Sequence, residues 1–303
     1  MIPPFNRLFH YPFTQACLFS AGLLLLPFPA PSAQVDSVSD SGSGSLISIA
    51  SLSTDDYQWI GQRIYQNECA GQPRYLTHWG KGEEFPSLGI GHFIWLPKGV
   101  EVPFEQTFPK LFDFVSASKP APAWLEVLRK QSGSSADFYA PWSNRQQFEQ
   151  AWSSSELSSL RDWLLQTQEL QARFIVQSFE ARWDKALQSL DSHEQQILTQ
   201  ELSKLTAFKQ GQFAVIDYFN FKGIGGNSKE QYQGEGWGLI EVLHNLNRNY
   251  DSASLNETQR LQAFVDSAKQ RLELRVKLAP KERKESRWIT GWFKRLDGYL
   301  MNE

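Results

Sequence analysis

The stretch "GEEFPSLGIGHFIW", residues 82–95, determines how the first part of this chain folds. Two adjacent carboxylates, Glu83 and Glu84, precede an apolar run that is spaced by glycines and ends in aromatic residues. The turn residues "WGKG" (79–82) stand at its start, and glycines inside a strand mark places where two backbones approach closely. We therefore predict turns and β-structure here, with "SLGIGHFIWL" (87–96) as a strand.

A helix is predicted upstream of this stretch, beginning near Thr54. Ser53 and Asp56 have the spacing of a capping box, which satisfies the first backbone N–H groups of a helix. Glu68 continues an apolar stripe at helical spacing, and the glycine and proline that follow it end the helix. The apolar members of that stripe are Tyr57, Ile60 and Ile64.

Glu68 is therefore expected on the apolar face of this helix, at its C-terminal end. Partial burial disfavours a negative charge there, and so does the helix dipole. A glutamic acid that these effects keep protonated can act as the general acid that protonates a glycosidic oxygen. The alternative is a structural glutamate whose carboxylate is satisfied by backbone amides or by an arginine.

The rest of the chain is predicted to be helical almost throughout. Apolar residues at helical spacing begin with Phe104 and Phe108, and "KPAPA" (119–123) interrupts them. The predicted fold class is α+β, predominantly α, with a small β-hairpin lobe near the N-terminus and an enlarged helical lobe. The further predicted helices cover residues 144–152, 156–189, 193–207, 211–219, 236–247, 254–277 and 281–299.

The order of these features resembles the lysozyme superfamily, especially the phage-type muramidases of glycoside hydrolase family 24. In that family the catalytic glutamate ends the first helix, and a hairpin leads to a Gly-Ile-Gly-His motif. Glu68 takes the glutamate position, and "GIGH" is residues 89–92. Ser87 stands where the family has a threonine, two residues before the motif.

The resemblance implies a lysozyme-like fold that cleaves the β-1,4 bond between N-acetylmuramic acid and N-acetylglucosamine in peptidoglycan. Glu68 would be the general acid. The family's other acidic residue would fall at Lys81, so Glu83 or Glu84 is the expected base or electrostatic partner. Ser87 would help to hold the water. A muramidase uses that water, whereas a lytic transglycosylase uses the sugar's own 6-hydroxyl and a single catalytic glutamate; both reactions stay open.

A second match, "AVIDYFNFKGIGG" (214–226), resembles the family's Phe-Asn-x-Gly segment, which lines the far wall of the cleft. The resemblance implies that its tyrosine and asparagine hydrogen-bond to the sugars and that its lysine meets a lactyl or peptide carboxylate. The expected substrate-binding residues are His92, Tyr218, Asn220, Lys222 and Gly223.

The segment 280–300 resembles the family's closing helix, in which arginine and tryptophan pack back against the catalytic helix. Arg287 and Arg295 are accordingly expected to be structural. Residues 100–207 have no counterpart in a minimal muramidase, and they are expected to form an inserted helical subdomain or an elaborated second lobe.

Residues 1–33 are predicted to be a secretory signal peptide, with Arg7 as its basic region and an apolar run at 16–28. The Ser- and Gly-rich residues 34–53 suit a flexible linker, and 54–303 form the folded domain. The expected location is therefore the periplasm or cell envelope. An uncleaved N-terminal membrane anchor is the alternative.

The formal net charge of −3 gives no indication of a nucleic-acid-binding protein. His78 and His92, with Glu83 and Glu84, lack the compact spacing of a zinc site, so no metal and no organic cofactor is expected. The expected partner is the glycan strand of peptidoglycan. The alternative function is a catalytically degenerate lysozyme-like domain that binds peptidoglycan and recruits other envelope proteins.

Overall fold

The computed structural model describes residues 52–102, 104–226 and 230–301. The predicted signal peptide, and the predicted linker up to residue 51, lie outside the described residues. None of the helices within the described ranges has both the length and the apolar character needed to cross a membrane.

The described part of the chain is mainly helical and carries two small antiparallel sheets, which confirms the predicted balance of α and β structure. The first sheet contains β1 (Thr77–His78), β2 (Ser87–Leu88) and β3 (Phe93–Ile94), and the second contains β4 (Gln231–Tyr232) and β5 (Glu235–Gly236). The helices are α1 (Thr54–Cys69), α2 (Phe108–Ser116), α3 (Ala123–Gln131), α4 (Arg145–Gln150), α5 (Ser155–Gln166), α6 (Gln168–Leu187), α7 (Ser192–Thr206), α8 (Lys209–Lys222), α9 (Leu239–Asn249), α10 (Glu257–Leu278) and α11 (Ile289–Asp297).

Helix α1 begins where the capping box predicts. The Asp56 backbone N–H donates to Ser53 Oγ at 3.2 Å, and the Ser53 backbone N–H donates to Asp56 Oδ2 at 3.0 Å. The helix then packs along α6. Gly61 permits this close approach, because a Cβ at that position would lie 2.7 Å from the carbonyl oxygen of Gln168. The contact with α6 fixes the direction in which the end of α1 presents Glu68.

The first sheet differs from the predicted continuous strand at 87–96. Leu88 pairs with Phe93, so the Gly-Ile-Gly-His motif forms the turn between β2 and β3. Gly89 (φ +70°) and His92 (φ +49°) both have left-handed backbone conformations, which an extended strand cannot contain. The motif is therefore a tight loop that projects His92 from the end of a short hairpin.

Two predicted long helices are divided in the structure. The segment 156–189 forms α5 and α6, with a break at Thr167, whose hydroxyl donates to the carbonyl oxygen of Trp163 at 2.8 Å. The segment 281–299 begins as two 3-10 turns that flank the left-handed Lys284, and only its second half forms α11. Helix α3, directly after Pro122, was not predicted.

Helix α8 lies at the centre of the core and is buried on nearly all sides. A single cluster of buried apolar side chains joins α1, the helices of residues 100–207 and the helices that follow them; Ile64, Trp163 and Phe219 belong to it. The additional helices therefore share one core with the segments that resemble muramidases. The buried apolar residues of α8 are Phe213, Ala214, Val215, Ile216, Tyr218 and Phe219.

Candidate active site

Glu68 lies near the end of α1 with only 5 % of its surface exposed. Its Oε1 accepts a hydrogen bond from the Asn220 amide at 3.3 Å and lies 2.6 Å from Nη1 of Arg295. Its Oε2 lies 3.4 Å from Nδ1 of His92. The β2–β3 turn, α8 and α11 thus each contribute one side chain to the same carboxyl group. The sequence left open that Glu68 is a structural glutamate satisfied by an arginine, and Arg295 is such a partner.

Arg295 connects Glu68 to a second buried acid. Its Nε and Nη2 donate to the two oxygens of Asp217 at 2.7 and 2.8 Å, and Tyr299 donates its hydroxyl to Asp217 at 2.6 Å. Although burial opposes the positive charge, Asp217 and Glu68 hold the pKa of Arg295 well above its usual value. The fully buried Asp217 also accepts a hydrogen bond from Asn67, the residue before Glu68. This network ties α1, α8 and α11 together.

His92 is 9 % exposed, and its Nε2 is buried without a hydrogen-bond partner among the described residues. Burial lowers its pKa and Arg295 adds to this effect, while the Glu68 carboxylate opposes it. Its imidazole is therefore neutral near pH 7. A neutral ring beside Glu68 can accept a proton from the acid or donate a hydrogen bond to its carboxylate, depending on the tautomer.

Gln171 of α6 holds the turn that carries His92. Its Oε1 accepts the Ile90 backbone N–H at 2.9 Å, and its Nε2 donates to the Leu164 carbonyl oxygen at 2.6 Å. Side chains at the two glycines of this turn would displace their neighbours. A Cβ on Gly89 would lie 2.4 Å from Gln171 Oε1, and one on Gly91 would lie 2.6 Å from the Phe93 ring. The glycines of the motif thus allow the turn to dock on α6.

A groove of about 390 Å³ lies beside these side chains, and two of its lining residues, His92 and Asn220, contact Glu68. One wall is formed by the β2–β3 turn and β3, and the others come from the start of α2, one face of α6 and the end of α8. Its volume falls within the usual range for small-ligand sites. Phe93, Phe174 and Ile175 give it apolar surface.

Glu68 lies behind the groove wall and contacts it through His92 and Asn220, and the other predicted catalytic residues do not line the groove either. Glu83 closes the turn between β1 and β2, because its Oε2 accepts the Gly80 backbone N–H at 3.0 Å. Burial raises the pKa of Glu83, and this hydrogen bond partly opposes the rise. Glu84 is exposed on the surface, and Ser87 lies in β2 opposite His78. The structure does not bring these residues together with Glu68 around one groove.

Tyr218 and Gly223, two of the predicted substrate-binding residues, do not line the groove and instead make contacts inside the fold. Tyr218 has no exposed surface, and its hydroxyl donates to the Trp237 carbonyl oxygen at 2.7 Å. Burial raises the pKa of this phenol far above its usual value. Gly223 (φ +81°) ends α8, where its N–H donates to the Phe219 carbonyl oxygen at 2.8 Å. The expectation that Tyr218 lines a sugar subsite is therefore corrected.

Lys222 also lies inside the protein, with 6 % of its surface exposed. Its Nζ has no hydrogen-bond partner among the described residues and lies 3.7 Å from the centre of the Trp292 ring and 3.9 Å from that of Phe221. Burial, reinforced by Arg275 and Arg295, lowers the pKa of Lys222 well below its usual value. The predicted contact with a substrate carboxylate is corrected, because Lys222 does not line the groove.

His78 is the second perturbed histidine near the site. Burial lowers its pKa to about 4, and His92 and Arg145 contribute to the shift. Its Nε2 is buried without a hydrogen-bond partner in the described part of the chain. The described ranges contain no group of three or more His, Cys, Asp or Glu side chains placed to hold a metal ion.

Sequence reasoning missed several residues that build the site. Asp217 interrupts the apolar run "AVIDYF" (214–219), and such a polar residue in a buried helix is a signal for a buried network. Arg182 and Glu105 line the groove but carry no comparable signal, because they lie in the segment without a matching motif. Comparisons of the chain with protein-family models, with curated proteins and with solved structures give no match.

Proposed function

We propose that this protein is a peptidoglycan-cleaving glycosidase with a lysozyme-like fold, in which Glu68 protonates the oxygen between N-acetylmuramic acid and N-acetylglucosamine. The observation that carries the proposal is the convergence of Glu68, His92 and Asn220 beside one groove. Glu68 ends the first helix, and the other two belong to the two motifs that resemble muramidases. Such a substrate lies in the cell envelope, which the predicted signal peptide would allow the protein to reach.

The surroundings of Glu68 suggest how the acid works. A general acid must carry a proton before the reaction and is left as a carboxylate afterwards. The neutral His92 ring faces Oε2, where it can share that proton, while Arg295 and Asn220 both face Oε1. Arg295 already pairs with the Glu68 carboxylate in this structure, so that contact has to open for Glu68 to take up the proton; as the proton leaves, Arg295 and Asn220 would stabilise the carboxylate again. The differential stabilisation of a developing charge is the form of binding that accelerates a reaction.

The position of the other carboxylates favours transglycosylation over hydrolysis. An inverting hydrolase needs a second carboxyl group across the sugar, at roughly 6.5–9.5 Å from the acid. Glu68 is joined to the groove by His92 and Asn220. The Glu83 side chain instead accepts the Gly80 N–H and Glu84 is exposed, and neither of them lines the groove. Glu105 lines it but is paired with Lys110 at 2.8 Å. A reaction in which the sugar's own 6-hydroxyl attacks needs only the acid, and this agrees better with Glu68 as the principal catalytic carboxyl group.

The burial of Glu68 supports the second candidate, a domain that binds peptidoglycan without cleaving it. A carboxylate that is 5 % exposed and paired with Arg295 must become more accessible before it can reach a glycosidic oxygen. The same groove without that change would serve as a glycan-binding surface. The two candidates therefore differ in whether bound glycan is cut.

Purified sacculi incubated with the protein, followed by mass spectrometry of the soluble products, test the proposal. We expect 1,6-anhydro-muropeptides; products with reducing ends would indicate a hydrolase. Glu68→Gln should abolish release while circular dichroism stays unchanged, and the exposed Glu84→Gln should behave as the wild type. Sacculi that sediment with the protein but release nothing would refute cleavage and support the binding domain. Full release by Glu68→Gln would refute the assigned role of Glu68.

A further inference from the structure

The groove beside Glu68 is basic, although the whole chain has a net charge of −3. Three cationic side chains line it, Lys110, Arg182 and Lys185, against one carboxylate, Glu105. Glu105 is already paired with Lys110 at 2.8 Å. The other two cations, Arg182 and Lys185, both belong to α6.

Arg182 is the groove residue that lacks a direct anionic partner. In the described part of the chain no carboxylate lies within ion-pair distance of it, and Glu230 and Glu105 act on it only from further away. Burial lowers the pKa of Arg182, but a guanidinium keeps its charge in proteins. A partly desolvated cation without a counter-ion costs free energy that a bound anion would recover.

The ring of Phe219 orients Arg182, with the guanidinium carbon 5.7 Å from the ring centre. Phe219 is followed directly by Asn220, whose amide donates to Glu68. Two consecutive residues of α8 therefore contact Arg182 and Glu68, respectively. An anionic group bound by Arg182 would lie in the same groove as the reacting bond, alongside the apolar surface of Phe174 and Ile175.

We propose that Arg182 binds the carboxylate of an acidic N-acetyl sugar in this groove, that is, of an N-acetylmuramic acid unit whose lactyl carboxylate carries no stem peptide, so that the site selects carboxylate-bearing glycan over the neutral N-acetylglucosamine polymer. This inference rests on the proposed function and names the feature of the substrate that the site recognises. A guanidinium and a carboxylate form two parallel hydrogen bonds, which specify orientation as well as charge. Arg182 would take the role that the resemblance to muramidases implied for Lys222, whose ammonium is enclosed in the core.

Binding of single sugars tests this inference without any cleavage step. The protein is titrated with N-acetylmuramic acid, which carries a free carboxylate, and with N-acetylglucosamine, and the bound fraction is followed by ligand-observed NMR. We expect about tenfold or greater preference for the acidic sugar, as one charge-assisted hydrogen-bonded pair provides. Arg182→Gln should remove the preference, and Arg182→Lys should keep part of it. The exposed Arg287→Gln, outside the groove, is the matched control.

Equal affinity for the two sugars, or binding of neither at millimolar concentration, would overturn the inference. A preference that survives in a correctly folded Arg182→Gln variant would also overturn it. The outcome is separate from that of the sacculus digestion. A protein that prefers the acidic sugar but releases no muropeptides would support the anion site and refute the proposed activity. A protein that cleaves sacculi without that preference would support the activity and refute the anion site.

Discussion

Replacing Arg295 with Met is expected to destabilise the fold strongly at neutral pH. The substitution keeps most of the side-chain volume but removes the cation between Glu68, which is 5 % exposed, and Asp217, which has no exposed surface. Removing one partner of a buried ion pair costs about 3–5 kcal/mol, because it leaves an uncompensated buried charge. For a chain of this size, that corresponds to a decrease in Tm of roughly 6–20 °C.

Urea unfolding at pH 7, followed by tryptophan fluorescence and circular dichroism, measures the change. Arg287→Met provides the control, because Arg287 is exposed and its loss should change the free energy of unfolding by less than about 0.5 kcal/mol. Adding Asp217→Asn to Arg295→Met removes one of the two stranded charges and should recover at least about 1 kcal/mol. A loss below about 1 kcal/mol in the single variant, or no recovery in the double variant, would refute the network as the link between these helices.

Two further predictions concern the turn and the buried histidine. Gln171→Leu should lower the free energy of unfolding by roughly 2–4 kcal/mol, since the Ile90 N–H and the Leu164 carbonyl would both lose a buried partner. Urea unfolding measures this change, and a loss under about 1 kcal/mol would contradict the prediction. His78 has a folded pKa of about 4 against 6.5 in the unfolded chain, so the unfolded state binds more protons between these values and stability falls as the pH drops through them. Unfolding at pH 7 and pH 4 should show a contribution of up to about 3 kcal/mol that His78→Gln removes, and an unchanged pH slope in that variant would count against it.

Local sequence signals predicted the features that depend on neighbouring residues. The start of α1 follows from Ser53 and Asp56 alone, and the structure has that capping box. The residues on either side of "GIGH" form short strands, as predicted, but the motif itself was predicted to be extended and forms a turn. Its turn depends on Gln171, which lies far along the chain and accepts the Ile90 N–H.

Long-range contacts explain the features that the sequence did not reveal. The pairing of Glu68 with Arg295 requires α1 and α11 to meet, and no local spacing encodes that meeting. Lys222 was expected in the groove because its motif lies at the cleft wall in muramidases. Helix α8 is instead buried on nearly all sides, so a residue on it can belong to the motif and still face the core. Asn220, two residues earlier, does reach the groove.

The position of Arg295 on α11 has a consequence for the order in which the site assembles. Helix α11 is short and buries only Trp292 and Leu296 among its side chains, whereas α8 is buried along most of its length. The surroundings of Glu68 thus depend on a short helix near the end of the described chain, which Arg295 joins to α1 by a contact of long sequence separation. In folding, a chain can form its core and its groove before Glu68 acquires its counter-ion. In the finished protein, partial release of α11 would separate Arg295 from Glu68 before the core opens, so hydrogen exchange in α11 would report how often this ion pair is broken.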